Sequence, residues 1–258
     1  MQIGGALITM VEPHPGHERA YNRWYEDDHF YAGATAGPWM FAGRRYVATR
    51  DLQLLRFPDD SPVARPVTTG CYISLYWTTA GHHRDAVRWG ALTMRDSLYP
   101  RGRGFDDRTH VYTAFHQFEL AVLRDGPPMR AEHALDHPFA GLVVEVLEPA
   151  AGRSRADVLE WLSTTFLVPQ LAGSPVAMAL AFSPEPMPAE RTAYAYDMPG
   201  VDTRVTLLFF LQADPRAWWS HFASHGRLVA DGGVATLLFA APFVPTVPGT
   251  DTYVDELR

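Results

Sequence analysis

The sequence predicts an α+β fold of two tandem ferredoxin-like βαββαβ units packed sheet to sheet. Three observations carry this: an internal repeat, the same order of strand-like and helix-like segments in both copies, and strands that are apolar on both faces. The repeat shows when "ALITMVEPHPGHERAYNRWY" from Ala6 is set beside "GLVVEVLEPAAGRSRADVLEWL" from Gly141. In each copy an apolar strand runs into Val11-Glu12-Pro13 or Leu147-Glu148-Pro149 and turns at Gly16 or Gly152. A segment of helical period then carries Trp24 or Trp161.

The later elements keep the order. "GRRYVAT" from Gly43 and "VAMALAFS" from Val176 read as second strands. Each is followed by a proline-rich connection, "DLQLLRFPDDSPVARPVTT" or "PEPMPAERTAYAYDMPGVDT", long enough to serve as a lid or cavity wall. The strands "CYISLYWT" and "RVTLLFFLQ" come next. Helical segments "HHRDAVRWGALTMRDSL" and "PRAWWSHFASHGRLVADG" follow, the second opened by Asp214 as N-cap with Pro215 in the first turn. The closing strands are "TAFHQFELAVL" and "VATLLFAAPFV". A βαββαβ unit carries both helices on one face of its sheet. The other face of strands such as "VTLLFFL" must be buried, and two units facing each other achieve that. The expected organisation is a unit over residues 1–123, a linker over 124–138 where Gly, Pro and charge interrupt the periodicity, and a unit over 139–258 ending in an extended arm.

Composition narrows the function. The chain has 258 residues and a formal charge of −7; its 22 basic residues are all arginine and form no cluster, so no nucleic-acid footprint is present. The lone Cys71 excludes an intrachain disulfide and lies among apolar neighbours, as a buried structural thiol does. The N-terminal segment lacks a basic, then apolar, leader pattern, which leads us to expect a cytoplasmic protein that is not membrane-bound. The expected partner is a small-molecule substrate, and a homodimer is compatible with the sequence. No P-loop, G-x-S-x-G or paired-cysteine pattern occurs, so no cofactor is expected.

The stretch "AYNRWYEDDHFYAG", residues 20–33, concentrates the chemistry-bearing side chains. Its "NRWYEDDHF" core, on the first helix of a ferredoxin-like unit, resembles the dimeric α/β-barrel superfamily, particularly the EthD-like branch, where an aromatic and acidic helix ends in histidine. The resemblance implies a pseudo-dimeric α/β barrel, here a tandem fusion in one chain, with a small-molecule cavity between sheet and helices. The superfamily includes cyclases, isomerases, cofactor-independent monooxygenases and haem proteins, so residues must decide the chemistry.

At α-helical spacing Asn22, Tyr25 and His29 form one stripe and Tyr21, Trp24 and Asp28 the adjacent one. An imidazole can move a proton near neutral pH, while Tyr25 and Asn22 could hold a developing enolate or phenolate. The catalytic candidates are therefore His29, Tyr25 and Asn22, with Trp24 and Asp28 beside the substrate and Asp28 or Asp27 orienting the ring. The bland reading of "EDDH" is a solvated helix end with a favourably placed cation. Aligning Trp161 with Trp24 puts Ser163, Thr164 and Thr165 where the acids stand and Phe166 at His29, which assigns any chemistry to the first unit.

Tyr72 and Tyr76 share a strand face with Ser74 and are candidate binding residues, or ordinary sheet packing. His116 either reaches the cavity or is a satisfied core histidine. His82-His83 read as a solvated helix start, and no metal site is expected; His221 and His225 have i, i+4 spacing without the glutamate of a zinc motif. The leading expectation is proton-transfer chemistry such as cyclisation, isomerisation or elimination on an apolar oxygenated substrate. A cofactor-independent monooxygenase and a non-catalytic ligand-binding protein are the alternatives.

Overall fold

The computed structural model describes residues 1–124, 129–192 and 196–258. Four strands come from each half: β1 (Ile3–Pro13), β2 (Met40–Val47), β3 (Tyr72–Thr79) and β4 (Arg108–Leu123), then β5 (Gly141–Pro149), β6 (Val176–Pro184), β7 (Val205–Leu211) and β8 (Ala235–Pro245). They close into one barrel in the order β1-β3-β2-β8-β5-β7-β6-β4. Each half keeps the ferredoxin-like sheet order, β4-β1-β3-β2 or β8-β5-β7-β6. The two sheets face each other across the interior, as their bare apolar faces demand.

Their edges are also joined, which stacking alone does not require. β4 pairs with β6 from His116↔Pro184 to Leu123↔Met178, and β2 meets β8 at Tyr46↔Pro245 and Val47↔Val244. Closure removes the exposed rows of backbone donors and acceptors that four open edges would present.

Alternation explains the doubly apolar strands. In β7, Leu208 and Phe210 point into the barrel, while Leu207, Phe209 and Leu211 pack beneath the helices of the second half. An eight-stranded barrel is just wide enough for side chains to fill it. Trp77 does much of that filling, stacked on Phe182 at 5.3 Å.

The helices lie outside the barrel. The first half has α1 (Glu18–Trp24), the short α2 (Arg50–Gln53) and α3 (His83–Thr93); the second has α4 (Arg155–Trp161), α5 (Leu167–Leu171), α6 (Trp219–Ala223) and α7 (His225–Gly232). Asp214 caps its helical turn as expected, accepting from the Arg216 N–H, with Pro215 next. Among the described residues no helix is long and apolar enough to cross a membrane.

The two long connections cross over. Phe57, from the first half, exchanges backbone hydrogen bonds with Ala240 of β8 and packs against Trp219 at 5.8 Å. Conversely, Glu185 N–H bonds Phe115 O, and Tyr196 Oη bonds Val111 O, both on β4. Each half thus covers the other. Residues 193–195 of the second connection and 125–128 of the expected linker lie outside the described residues.

The C-terminal arm is not the extended segment expected but a series of turns, closed by Thr250 N–H to Val247 O and Val254 N–H to Asp251 O and ending in a helical turn at Val254–Glu256, and it returns to the first half. Asp251 pairs with Arg19 and Arg23, Arg258 pairs with Glu18 and Glu12, and Leu257 is buried.

Candidate active site

The chain leaves α-helical geometry at the residues of interest. α1 continues as a π-helical turn over Tyr25–His29, where the N–H of Phe30 bonds Tyr25 O, five residues back. This wider turn sets His29 rather than Asp28 over Trp24, with ring centroids 4.1 Å apart and 21° between planes. The second half repeats the device: Leu162–Phe166 is also a π turn, and Phe166 stacks on Trp161 at 4.8 Å and 27°. Phe166 therefore does occupy the place of His29. Packing there is satisfied by a hydrocarbon ring, so the nitrogens of His29 are surplus to it.

The π turn also breaks the expected stripe, which assumed a constant α-helical advance per residue. Asn22 does not line the cavity: its amide donates to Thr250 O and Asp251 Oδ1, and its Oδ1 accepts from Arg45 Nη1 at 3.0 Å. Asn22 fastens the helix to the C-terminal arm. Asp28 does not orient His29 but pairs with Arg103, whose Nε lies 3.1 Å from Oδ2, and that contact lowers the carboxyl pKa. Asp27 is exposed.

Between the outer face of the first sheet and α1 and α3 lies a cavity of about 130 Å³. Its working wall carries Trp24, Tyr25, His29, Tyr76, Arg108 and His110, while Met187, Arg191, Thr192 and Tyr196 of the crossing connection close it. Tyr76 Oη donates to Tyr25 Oη at 2.9 Å, leaving the Tyr25 proton available. The Arg45 guanidinium carbon sits 4.4 Å from the Tyr25 ring centre, held by Glu26 and Asn22.

His29 is the least satisfied group here. Its Nδ1 is buried without a hydrogen-bond partner. Burial first, then the Arg108 charge, pushes its pKa down to about 3, with Asp28 opposing, so the ring is neutral. Gly33 makes room: a Cβ there would stand 2.8 Å from His29 Cε1 and 2.9 Å from Met94 Cε.

His110 is the second imidazole at the cavity. Arg108 Nε donates to its Nε2 at 3.4 Å, so Nδ1 carries the proton and donates to Thr113 Oγ1 at 2.9 Å, which bonds Thr9 Oγ1. Burial, then Arg108, lowers the His110 pKa to about 4. Simple alternation along β4 would put His110 on the same face as His116. A bulge between Met10 and Val11 in the β1–β4 pairing reverses this, setting Tyr112 opposite the inward Met10 and His110 opposite the outward Val11. No sequence signal announces that bulge, so His110 and Arg108 were not expected at the site.

The remaining candidates divide. Trp24, Tyr25 and Tyr76 line the cavity with His29; Tyr72 does not, being packed on Tyr21 at 5.4 Å under Arg45. His116 lies inside the barrel, where Nδ1 meets Ala114 O at 2.9 Å and Nε2 meets Thr206 Oγ1 at 3.2 Å. Both nitrogens are committed, so His116 is a satisfied core histidine and not a binding residue. His82 is an exposed helix start stacked on Trp39. His83 is instead buried between Thr78 Oγ1 and Glu185 Oε2, at 2.7 and 2.8 Å.

In the second half the corresponding region holds a buried pair, His225 with Glu145. His225 bonds the buried Glu145 at 2.7 Å, and Phe166, Phe209 and Phe222 enclose its ring. Among the described residues no group of three or more His, Cys, Asp or Glu side chains is placed to hold a metal.

No family model matches the chain, and no curated protein matches it. Solved structures do. A putative chlorite dismutase, TA0507, superposes with a TM-score of 0.53 at 10% identity over 100% of both chains. This is the dimeric α/β-barrel fold. An anthrone oxidase-like protein matches with a TM-score of 0.52 at 10% identity, over 95% of this chain and 92% of its own. Identity this low establishes the α/β barrel alone and does not distinguish the EthD-like branch.

Proposed function

We propose that the chain is an enzyme that moves a proton on a small aromatic or polyketide-like oxygenated substrate held in the cavity of its first half. The observation that carries this reading is the buried, unpartnered Nδ1 of His29 in a ring that lines a cavity. Of the twelve buried side-chain polar atoms without a partner among the described residues, His29 Nδ1 alone belongs to a residue that lines the cavity.

The roles follow from the geometry. His29, neutral and unpaired, takes the proton from a carbon or hydroxyl. Tyr25, its oxygen already accepting from Tyr76, donates to the oxyanion that develops. Tyr76, with Leu7, Met40 and Phe115, provides apolar wall, while Trp24 backs His29 and Arg108. The connection bearing Met187 and Tyr196 restricts water.

The same proton abstraction can begin oxygenation without a cofactor. The likeness to an anthrone oxidase-like protein makes this the second reading, separated from the first by oxygen consumption. In the second half His225 is fully buried, with Glu145 on its Nδ1 and Phe166, Phe209 and Phe222 around its ring, an arrangement not open to a haem.

A screen of phenols, anthrones and aromatic ketones for turnover tests the proposal. Once a substrate is found, His29→Ala should lower turnover by about two to four orders of magnitude, and Tyr25→Phe by less. Full turnover in His29→Ala would remove the assignment. An occupied cavity with no turnover of any candidate would favour a binding protein.

A further inference from the structure

The charge lining the cavity is one-sided. Two guanidiniums, Arg108 and Arg191, reach it, and among the described residues no aspartate or glutamate does. Arg191 is compensated by Asp197 at the surface. Arg108 is not: among the described residues every group it bonds is neutral. Its Nε donates to His110, Nη1 to Phe105 O and Nη2 to Tyr99 Oη at 2.9 Å. A guanidinium has five N–H groups, so one on each Nη remains unspent by these contacts.

Arg108 is also held in place. Its guanidinium carbon lies 4.7 Å from the centre of the Trp24 ring, on which His29 stacks from the π turn. A half-buried cation fixed at an aromatic wall, with donors left, suits an anion.

Resting on the reading of this cavity as the substrate site, we infer that its substrate is an aromatic carboxylate, with its carboxylate on Arg108 and its ring among the apolar side chains that line the cavity. The inference also links recognition to chemistry. The Arg108 charge helps hold His29 neutral, and a bound anion offsets that field, so the imidazole becomes a stronger base when substrate is present.

Titration calorimetry with salicylate and the neutral salicylamide tests this on the whole chain. The wild-type protein should bind salicylate about tenfold or more tightly than salicylamide, the usual scale for a charge-assisted hydrogen bond. Arg108→Gln should abolish the preference, and Arg108→Lys should retain part of it. Equal binding of the two probes by the wild type, or a preference that survives in folded Arg108→Gln, overturns the inference but leaves an uncharged ring as a substrate for the same site. Binding of neither probe overturns the inference and counts against the cavity as the substrate site. Should Arg108→Gln not fold, the wild-type comparison still decides, together with the weakening of salicylate binding by added salt that the inference requires.

Discussion

Replacing His29 by phenylalanine imports into the first half what the second already uses, and separates the ring's packing role from its chemistry. Phe166 stacks on Trp161 as His29 stacks on Trp24, so the variant should fold. The close approach of Gly33 makes the larger ring cost about 1 kcal/mol, independent of pH. The informative quantity is the pH dependence. With a native pKa of about 3 against 6.5 for the free side chain, the unfolded chain binds the proton first as pH falls. The His29 contribution is therefore intact above pH 6.5 and is lost between 6.5 and 3. Each pH unit in that window costs about 1.4 kcal/mol, so the wild type should lose about 2 kcal/mol at pH 5 that His29→Phe keeps. Arg108, Asp28, His110 and Arg45 surround the ring and are common to both proteins, as are the other buried histidines. Urea unfolding at pH 8, 7, 6 and 5 measures the difference. Parallel curves for the two proteins would show that His29 is not a buried neutral base and would refute the reasoning behind its role.

Gly33→Ala places a methyl against His29 and Met94; it should displace the imidazole and lower turnover or ligand affinity by about tenfold or more, with an unchanged far-UV spectrum. His225→Leu leaves the Glu145 carboxyl buried without its partner and should cost about 3 to 5 kcal/mol in urea unfolding, most of it recovered by adding Glu145→Leu. Leu257→Ala, in the buried end of the C-terminal arm, should cost about 2 kcal/mol or more by the same assay, whereas Asp251→Ala should cost about 1 kcal/mol, because its ion pairs lie at the surface.

The barrel was legible because its determinants are periodic and duplicated. The Glu-Pro strand ends, the matched tryptophans and the doubly apolar "VTLLFFL" each have one reading that satisfies burial. The edge pairings β4–β6 and β2–β8 were not legible, since an unpaired backbone edge leaves no mark on side-chain pattern. Within the site, His29, Tyr25, Trp24 and Tyr76 were recoverable from their type and spacing. Asn22, Asp28, Tyr72 and His116 lie away from the cavity for local reasons: Arg45 and the C-terminal arm claim Asn22, the π turn after Trp24 re-aims Asp28, and the packing of Tyr21 and Thr206 claims the others. Arg108 and His110 depend on a single bulge, set by the fit between two strands a hundred residues apart.

The crossing of the two connections bears on why the halves diverged. If two identical subunits formed this barrel, one segment would have to close its neighbour's cavity in both directions, and a change suiting one site would be imposed on the other. Joining the copies in one chain lifts that constraint. The segment around Phe57 can become a plug while its counterpart from Met187 to Tyr196 stays a wall, so one site can be lost without harm to the other. The body of the second half is not free to follow. It supplies one wall of the first half's cavity, so its presence is not expendable.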